Sequence, residues 1–292
     1  MSLANLLTVE PIDENGKHSS ELASHTNELA TSNFICHHHQ QNFNQVLYGG
    51  QVFAQGIAAS LKTVPSKYLL HSASASFLRP GSDRLPIRYE VIVLRDGRSI
   101  LSRTVRAWQA HKLLLTMQLS FHKQEPGYAH QPSHEPTIAP EDTDFRIANA
   151  TLDPYGIVKS FELGTGKFCP LFSSEQQSQS ADLWLRRSER FDHPSEFVDT
   201  LSLAYASDLC LLATALLPHE TSLFSKNVMA TTITHHMWFH SHEFDSQDWM
   251  VFAMNSPWAG GARGFCRGEI FTQQGKLVAS VVQEGLIRPI QN

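Results

Sequence analysis

The chain has 292 residues, of which 41% are hydrophobic and 10% aromatic, the make-up of a packed globule and not of a disordered chain. Its formal charge of −5 gives no pull toward nucleic acid or an anionic membrane surface, so neither is expected as a partner. No uninterrupted apolar run is long enough to cross a bilayer.

In chain order, the opening "MSLANLLTVEPIDENGK" puts acids soon after a short apolar patch and has no basic start, so no signal peptide is expected. The final residues are not a Ser-Lys-Leu type address, and a cytoplasmic location is the expectation. "CHHHQQ" sets Cys36 beside His37, His38 and His39. Neighbours on a strand face opposite ways and do not converge on one ion, so a polar surface strand or loop is expected here, and no metal. "YGGQVFAQGIAASLK" opens with a tyrosine, two glycines and Gln51, then runs on as an apolar helix. It lacks the Gly-Lys-Ser/Thr ending of a phosphate loop.

From His71, "HSASASFLRP" alternates with a period of two, and "IRYEVIVLRDG" is rich in β-branched and aromatic residues; both read as strands. "RTVRAWQAHKLLLTMQLSFHK" reads as two strands joined at "QAHK". Four prolines between Gln124 and Asp142 mark a linker, and the weakly periodic stretch up to about Ser180 reads as connection. "DLWLRRS" is then a new first strand. "YASDLCLLATALLPH" follows, with Asp208 expected to begin a helix, an acid there suiting the positive helix end. "TITHHMWFH", "WMVFAMNS" and the hairpin "RGEIFTQQGKLVASVVQEGLI" supply the remaining strands. Cys36, Cys169, Cys210 and Cys266 are scattered, with no Cys-x-x-Cys pair, and read as buried free thiols.

The second set of elements repeats the first. Asp208 follows Gln51 by 157 positions, Thr232 follows His71 by 161, and Lys276 follows Lys112 by 164. A drift this slow is what small loop insertions produce. Each copy is a helix followed by strands with short turns, which predicts an α+β fold of two helix-on-antiparallel-sheet repeats. The expected division is an N-terminal repeat over 1–125, linker and connection over 126–180, and a C-terminal repeat over 181–292.

The copies differ where chemistry would sit. At three comparable corners the second copy carries Asp208, Thr232 and Gln283, while the first carries Gln51, His71 and Leu119. A carboxylate can take a proton from water, and a hydroxyl and an amide can fix the water's direction. Such a set suits hydrolysis of an activated acyl bond without a covalent intermediate. Each residue also has an ordinary reading by itself: Asp208 as a helix cap, Thr232 as a strand residue, Gln283 as a strand end. No Gly-x-Ser-x-Gly elbow supports a serine nucleophile.

The stretches "LYGGQVFAQGIAAS", "HSASASFLRPG", "LRDGRSILSRTVRAWQ", "YASDLCLL", "MWFH" and "ARGFCRGEIFTQQGKLVASVVQEG", in this order, resemble acyl-CoA thioesterase II, from near Leu6 to Arg288. The resemblance implies a double hot-dog fold and hydrolysis of fatty acyl-CoA to free fatty acid and CoA. It implies no metal or cofactor, an acyl-CoA substrate, and a homo-oligomer, dimer or tetramer. It also implies a catalytic set that falls on Asp208, Thr232 and Gln283. Relatives read Asp-His shortly before "MWFH"; here Thr234 replaces the acid ahead of His235. By strand alternation Thr232 and Thr234 are expected on one side and Thr231 on the other. A non-catalytic acyl-CoA-binding shell is the alternative reading, followed by an enoyl-CoA hydratase-like lyase, whose Asp-x-Asn-Pro-x-His type motif is absent here.

Overall fold

The alternating runs of the sequence become antiparallel strands in each half of the chain. A computed structural model describes residues 2–13, 30–41, 46–136, 139–143, 156–165, 171, 173–191, 197–223 and 225–290. It divides into two compact units, residues 1–129 and 130–292. Cys169 lies outside the described residues.

Unit 1 contains helix α1 (Leu3–Leu7), strands β1 (Glu10–Ile12) and β2 (Thr31–Cys36), helix α2 (Gly49–Leu61), and strands β3 (Tyr68–Phe77), β4 (Ile87–Asp96), β5 (Ile100–Gln109) and β6 (Lys112–Lys123). The sheet order is β1-β2-β4-β5-β6-β3, and each strand pair is antiparallel. One face is apolar by simple alternation: on β5, Leu101, Val105 and Ala107 are buried along with Arg103. Asp96 at 2.7 Å and the Thr63 hydroxyl at 3.0 Å satisfy that buried guanidinium.

Helix α2 is buried almost all round, which its run of small and aliphatic residues allows. It comes close to the sheet at Gly56, where a Cβ would stand 2.4 Å from Met117 Sδ. The three histidines after Cys36 form a loop and not a strand. Gln51, in the first turn of α2, is fully buried and holds that loop: its amide donates to the His38 carbonyl at 2.9 Å and accepts from the Gln40 amide.

Unit 2 repeats the plan. It has strands β7 (Phe161–Gly164) and β8 (Ser180–Arg187), helix α3 (Val198–Ala206), and strands β9 (Val228–Phe239), β10 (Met250–Gly260), β11 (Arg263–Thr272) and β12 (Leu277–Pro289). The order β7-β8-β10-β11-β12-β9 matches unit 1 strand for strand. Strand β7 lies in the stretch that weak periodicity made look like plain connection. Its four residues pair with β8, Phe161 opposite Arg187 and Gly164 opposite Trp184, and a four-residue strand is too short to show a period. The proline-rich segment touches the sheet of its own unit: the Gln131 amide donates to the Gly275 carbonyl at 2.7 Å and accepts from the Leu277 amide at 3.1 Å.

After α3 the chain turns and enters a short 3-10 helix, Leu211–Ala215, which lies on the sheet. Glycines floor that contact. A Cβ on Gly285 would be 2.5 Å from Leu212, and one on Gly264 would be 2.5 Å from Ala215. This close approach brings the turn ahead of the 3-10 helix down onto β9 and β12.

Candidate active site

Asp208 occupies that turn, which corrects the expectation that it begins a helix. The α-helix ends earlier, at Ala206, with Ser207 as its C-cap. The Ser207 hydroxyl donates back to the Ala204 carbonyl at 2.8 Å, and Cys210 takes a left-handed conformation with φ 64° before the 3-10 helix starts. The carboxylate thus follows the C-terminal end of α3, where the backbone dipole does not favour negative charge.

Two side chains bond it directly. The Gln283 amide nitrogen donates to Asp208 Oδ1 at 2.8 Å, and the Thr232 hydroxyl donates to the same oxygen at 3.5 Å. The amide's second hydrogen goes to Thr232 Oγ1 at 2.6 Å, closing a three-membered ring of contacts. Gln283 is fully buried, while Asp208 and Thr232 are half-buried. Both hydrogens of the amide are used. Its Oε1 is buried and makes no hydrogen bond among the described residues. The structure therefore brings together all three residues singled out in the second copy.

A β-bulge makes this possible. Between β9 and β12, Gln283 pairs with His235 and Glu284 with Thr234, but Gly285 pairs with Thr232, so Ile233 is the extra residue. Opposed residues of an antiparallel pair face the same way, and successive residues alternate. Thr232 therefore joins Gly285, Gln283 and His235 on the inner face, and Thr234 points outward with Glu284. This corrects the expectation that Thr232 and Thr234 share a side, since strict alternation fails at the inserted residue. The same bulge separates the assigned hydroxyl from the position where the acid of the "Asp-His" pattern is replaced.

His235 lies in the same inner layer and is buried. Its Nε2 is 2.9 Å from Ser207 Oγ. Desolvation, with a smaller contribution from His236, pushes its pKa down to about 3, so the ring is neutral. Ser207 was not singled out by sequence reasoning. Its only signal is a hydroxyl residue directly ahead of the acid in "ASDL".

The matching places in unit 1 carry no such set. Gln51 spends its amide on the His38–Gln40 loop, His71 bonds the Ser120 hydroxyl at 2.8 Å, and Leu119 is buried. Among the described residues, no group of three or more His, Cys, Asp or Glu stands close enough to hold a metal ion. Of the other cysteines, Cys36 and Cys266 are buried and Cys210 is half-buried, all as free thiols. Burial raises the Cys36 thiol to about 11.

A helical segment laid on an antiparallel sheet, twice in one chain, is the plan of the hot-dog class. Solved structures agree. An acyl-CoA thioesterase II from Mycobacterium marinum superposes with a TM-score of 0.77 at 27% identity, covering 99% of this chain and 98% of that one. A protein of unknown function with a hot-dog fold from Alicyclobacillus acidocaldarius gives a TM-score of 0.70 at 16% identity, over 92% of this chain and 97% of that one. At the level of sequence, the family model for acyl-CoA thioesterase matches residues 168–286, and that for the acyl-CoA thioesterase N-terminal domain matches residues 38–122. Acyl-CoA thioesterase 2 of Haemophilus influenzae is 35% identical over 84% of this chain and 88% of its own length. The chain belongs to the acyl-CoA thioesterase family.

Proposed function

We propose that this protein hydrolyses fatty acyl-CoA to a free fatty acid and CoA, with Asp208 as general base and Thr232 and Gln283 orienting the attacking water. The observation that carries this reading is the convergence of one carboxylate, one hydroxyl and one amide within 3.5 Å of each other in the second repeat. Family membership supplies the substrate class.

In the step proposed, water adds to the thioester carbonyl carbon while its proton passes to the Asp208 carboxylate. The tetrahedral intermediate then expels CoA as a thiolate, which recovers that proton as the thiol. Atoms balance with no covalent enzyme intermediate. Gln283 acts on the water through the carboxylate, since both of its amide hydrogens are spent on Asp208 and Thr232. The hydroxyl and the amide nitrogen both point at Oδ1, which fixes the plane of the carboxylate and the direction of its second oxygen.

Asp208→Asn keeps the shape and the hydrogen bond to Thr232 but cannot take a proton. We expect kcat to fall by about 10²–10⁴-fold, the usual worth of a positioned general base, with acyl-CoA binding retained. Release of CoA thiol from acyl-CoAs of several lengths is the assay. A folded Asp208→Asn enzyme with near-normal turnover would refute the assignment. Absence of CoA release by the parent protein, with acyl-CoA binding intact, would instead favour a binding shell. Loss of an enoyl-CoA double bond without CoA release would favour a hydratase.

A further inference from the structure

We infer that His235 is a positioning residue for this reaction, acting through Ser207 to set the turn that carries Asp208; the inference rests on Asp208 being the base. Three of its neighbours are the reason. It sits directly opposite Gln283 in the β9–β12 ladder, it shares the inner face of β9 with Thr232, and its Nε2 meets the hydroxyl of the residue that precedes Asp208. It therefore ties the two strands that bring the amide and the hydroxyl to the loop that brings the acid.

The direction of the bond follows from counting hydrogens. Ser207 has one hydroxyl hydrogen, and the Ala204 carbonyl takes it at 2.8 Å. The contact at 2.9 Å must then be the His235 Nε2–H donating to Ser207 Oγ. That fixes the neutral tautomer protonated at Nε2. Both residues are buried, so neither competes with water for this bond. A hydrogen bond whose loss strands a buried donor is costly, which makes the turn's position stiff. Stiffness matters because Asp208 stands past the end of α3, in the turn that leads to the left-handed Cys210 two residues on. A shift of about 1 Å at a catalytic group can cost on the order of 10²-fold in rate.

This differs from a role in proton transfer. The contact that carries the inference is between Nε2 and the hydroxyl of Ser207, the residue before the acid.

The test uses the full chain and CoA release. His235→Leu removes the donor, Ser207→Ala removes the acceptor, and His235→Gln returns an N–H at nearly the reach of Nε2. We expect His235→Leu and Ser207→Ala each to lower kcat by about 10–100-fold with KM changed less than about threefold. The double variant should be no worse than the poorer single, and His235→Gln should recover to within about fivefold of the parent. Placed on Asp208→Asn, His235→Leu should cost nothing more, because the group it positions is gone. If His235→Leu does not fold, Ser207→Ala carries the same expectations. Parent-like kcat in a folded Ser207→Ala protein overturns the inference. So does an equal further loss on the Asp208→Asn background, which would show a general structural role. Failure of the base assignment looks different: Asp208→Asn itself would remain active.

Discussion

Gln283→Met is the sharpest way to separate what holds the site from what holds the fold. Methionine is close to glutamine in length and volume, so the core position stays filled. Two hydrogen bonds disappear, the one to Asp208 Oδ1 at 2.8 Å and the one to Thr232 Oγ1 at 2.6 Å. A bond to a charged group is worth about 1.5–3 kcal/mol and one between neutral groups about 0.5–1.5 kcal/mol, so the site loses about 2–4 kcal/mol of positioning. If that loss appears in the transition state, at about 1.4 kcal/mol per tenfold, kcat falls by about 30- to 1000-fold. Stability responds differently. The amide also carries a buried Oε1 without a hydrogen bond among the described residues, and removing an unsatisfied buried acceptor regains about 1–3 kcal/mol. The two effects nearly cancel, and the melting temperature should stay within about 3 °C. Steady-state CoA release and thermal unfolding on the same preparation give both numbers. A folded Gln283→Met protein with kcat within threefold of the parent would refute the claim that the amide orients the reaction.

The bulge at Ile233 makes a prediction about two threonines one residue apart from it. Thr232→Val should lower kcat by about 10–100-fold while Thr234→Val leaves it within twofold, because only the first hydroxyl faces Gln283; equal losses would mean the strand alternates without interruption. Gly285→Ala should destabilise by about 1–3 kcal/mol, since the added Cβ would meet Leu212 at 2.5 Å and the Thr231 carbonyl at 3.0 Å; urea unfolding measures it, and an unchanged midpoint would show that the 3-10 helix yields freely. His235 gives a pH dependence with a definite sign. Its folded pKa of about 3 lies below the ordinary 6.5, so the unfolded chain binds the extra proton between those values. Its contribution is present above pH 6.5 and is lost as pH falls from 6.5 toward 3. In His235→Gln the fall in urea midpoint over that range should be shallower than in the parent, and an identical slope would mean the ring is not buried neutral.

The site shows why part of it was readable and part was not. Asp208, Thr232 and Gln283 stood out because the chain repeats itself and the second copy changes the residue at three comparable corners. Strands such as "IRYEVIVLRDG" and the hairpin turn at "QQGK" were legible because alternation and turn chemistry act over a few neighbouring residues. The start of a helix at Asp208 was misread because helical spacing continues through "SDLCLLATALL", and nothing local says that the Ser207 hydroxyl closes α3 one turn early. Ser207 and His235 met only when α3, β9 and β12 were packed against one another.

What the sequence alone determined, then, is the duplicated plan: which runs are strands, where they turn, and which copy carries an acid, an alcohol and an amide. Those properties reside in near-neighbour periodicity and in residue chemistry. The tertiary structure alone decided which face Thr232 occupies and where Asp208 is held. The first depends on an extra residue relative to a partner strand 51 positions away, given as the separation of Thr232 and Gln283. The second depends on how closely glycines on that sheet let a helical segment approach. Register and approach are relations between distant segments, and a single strand or helix read alone does not contain them.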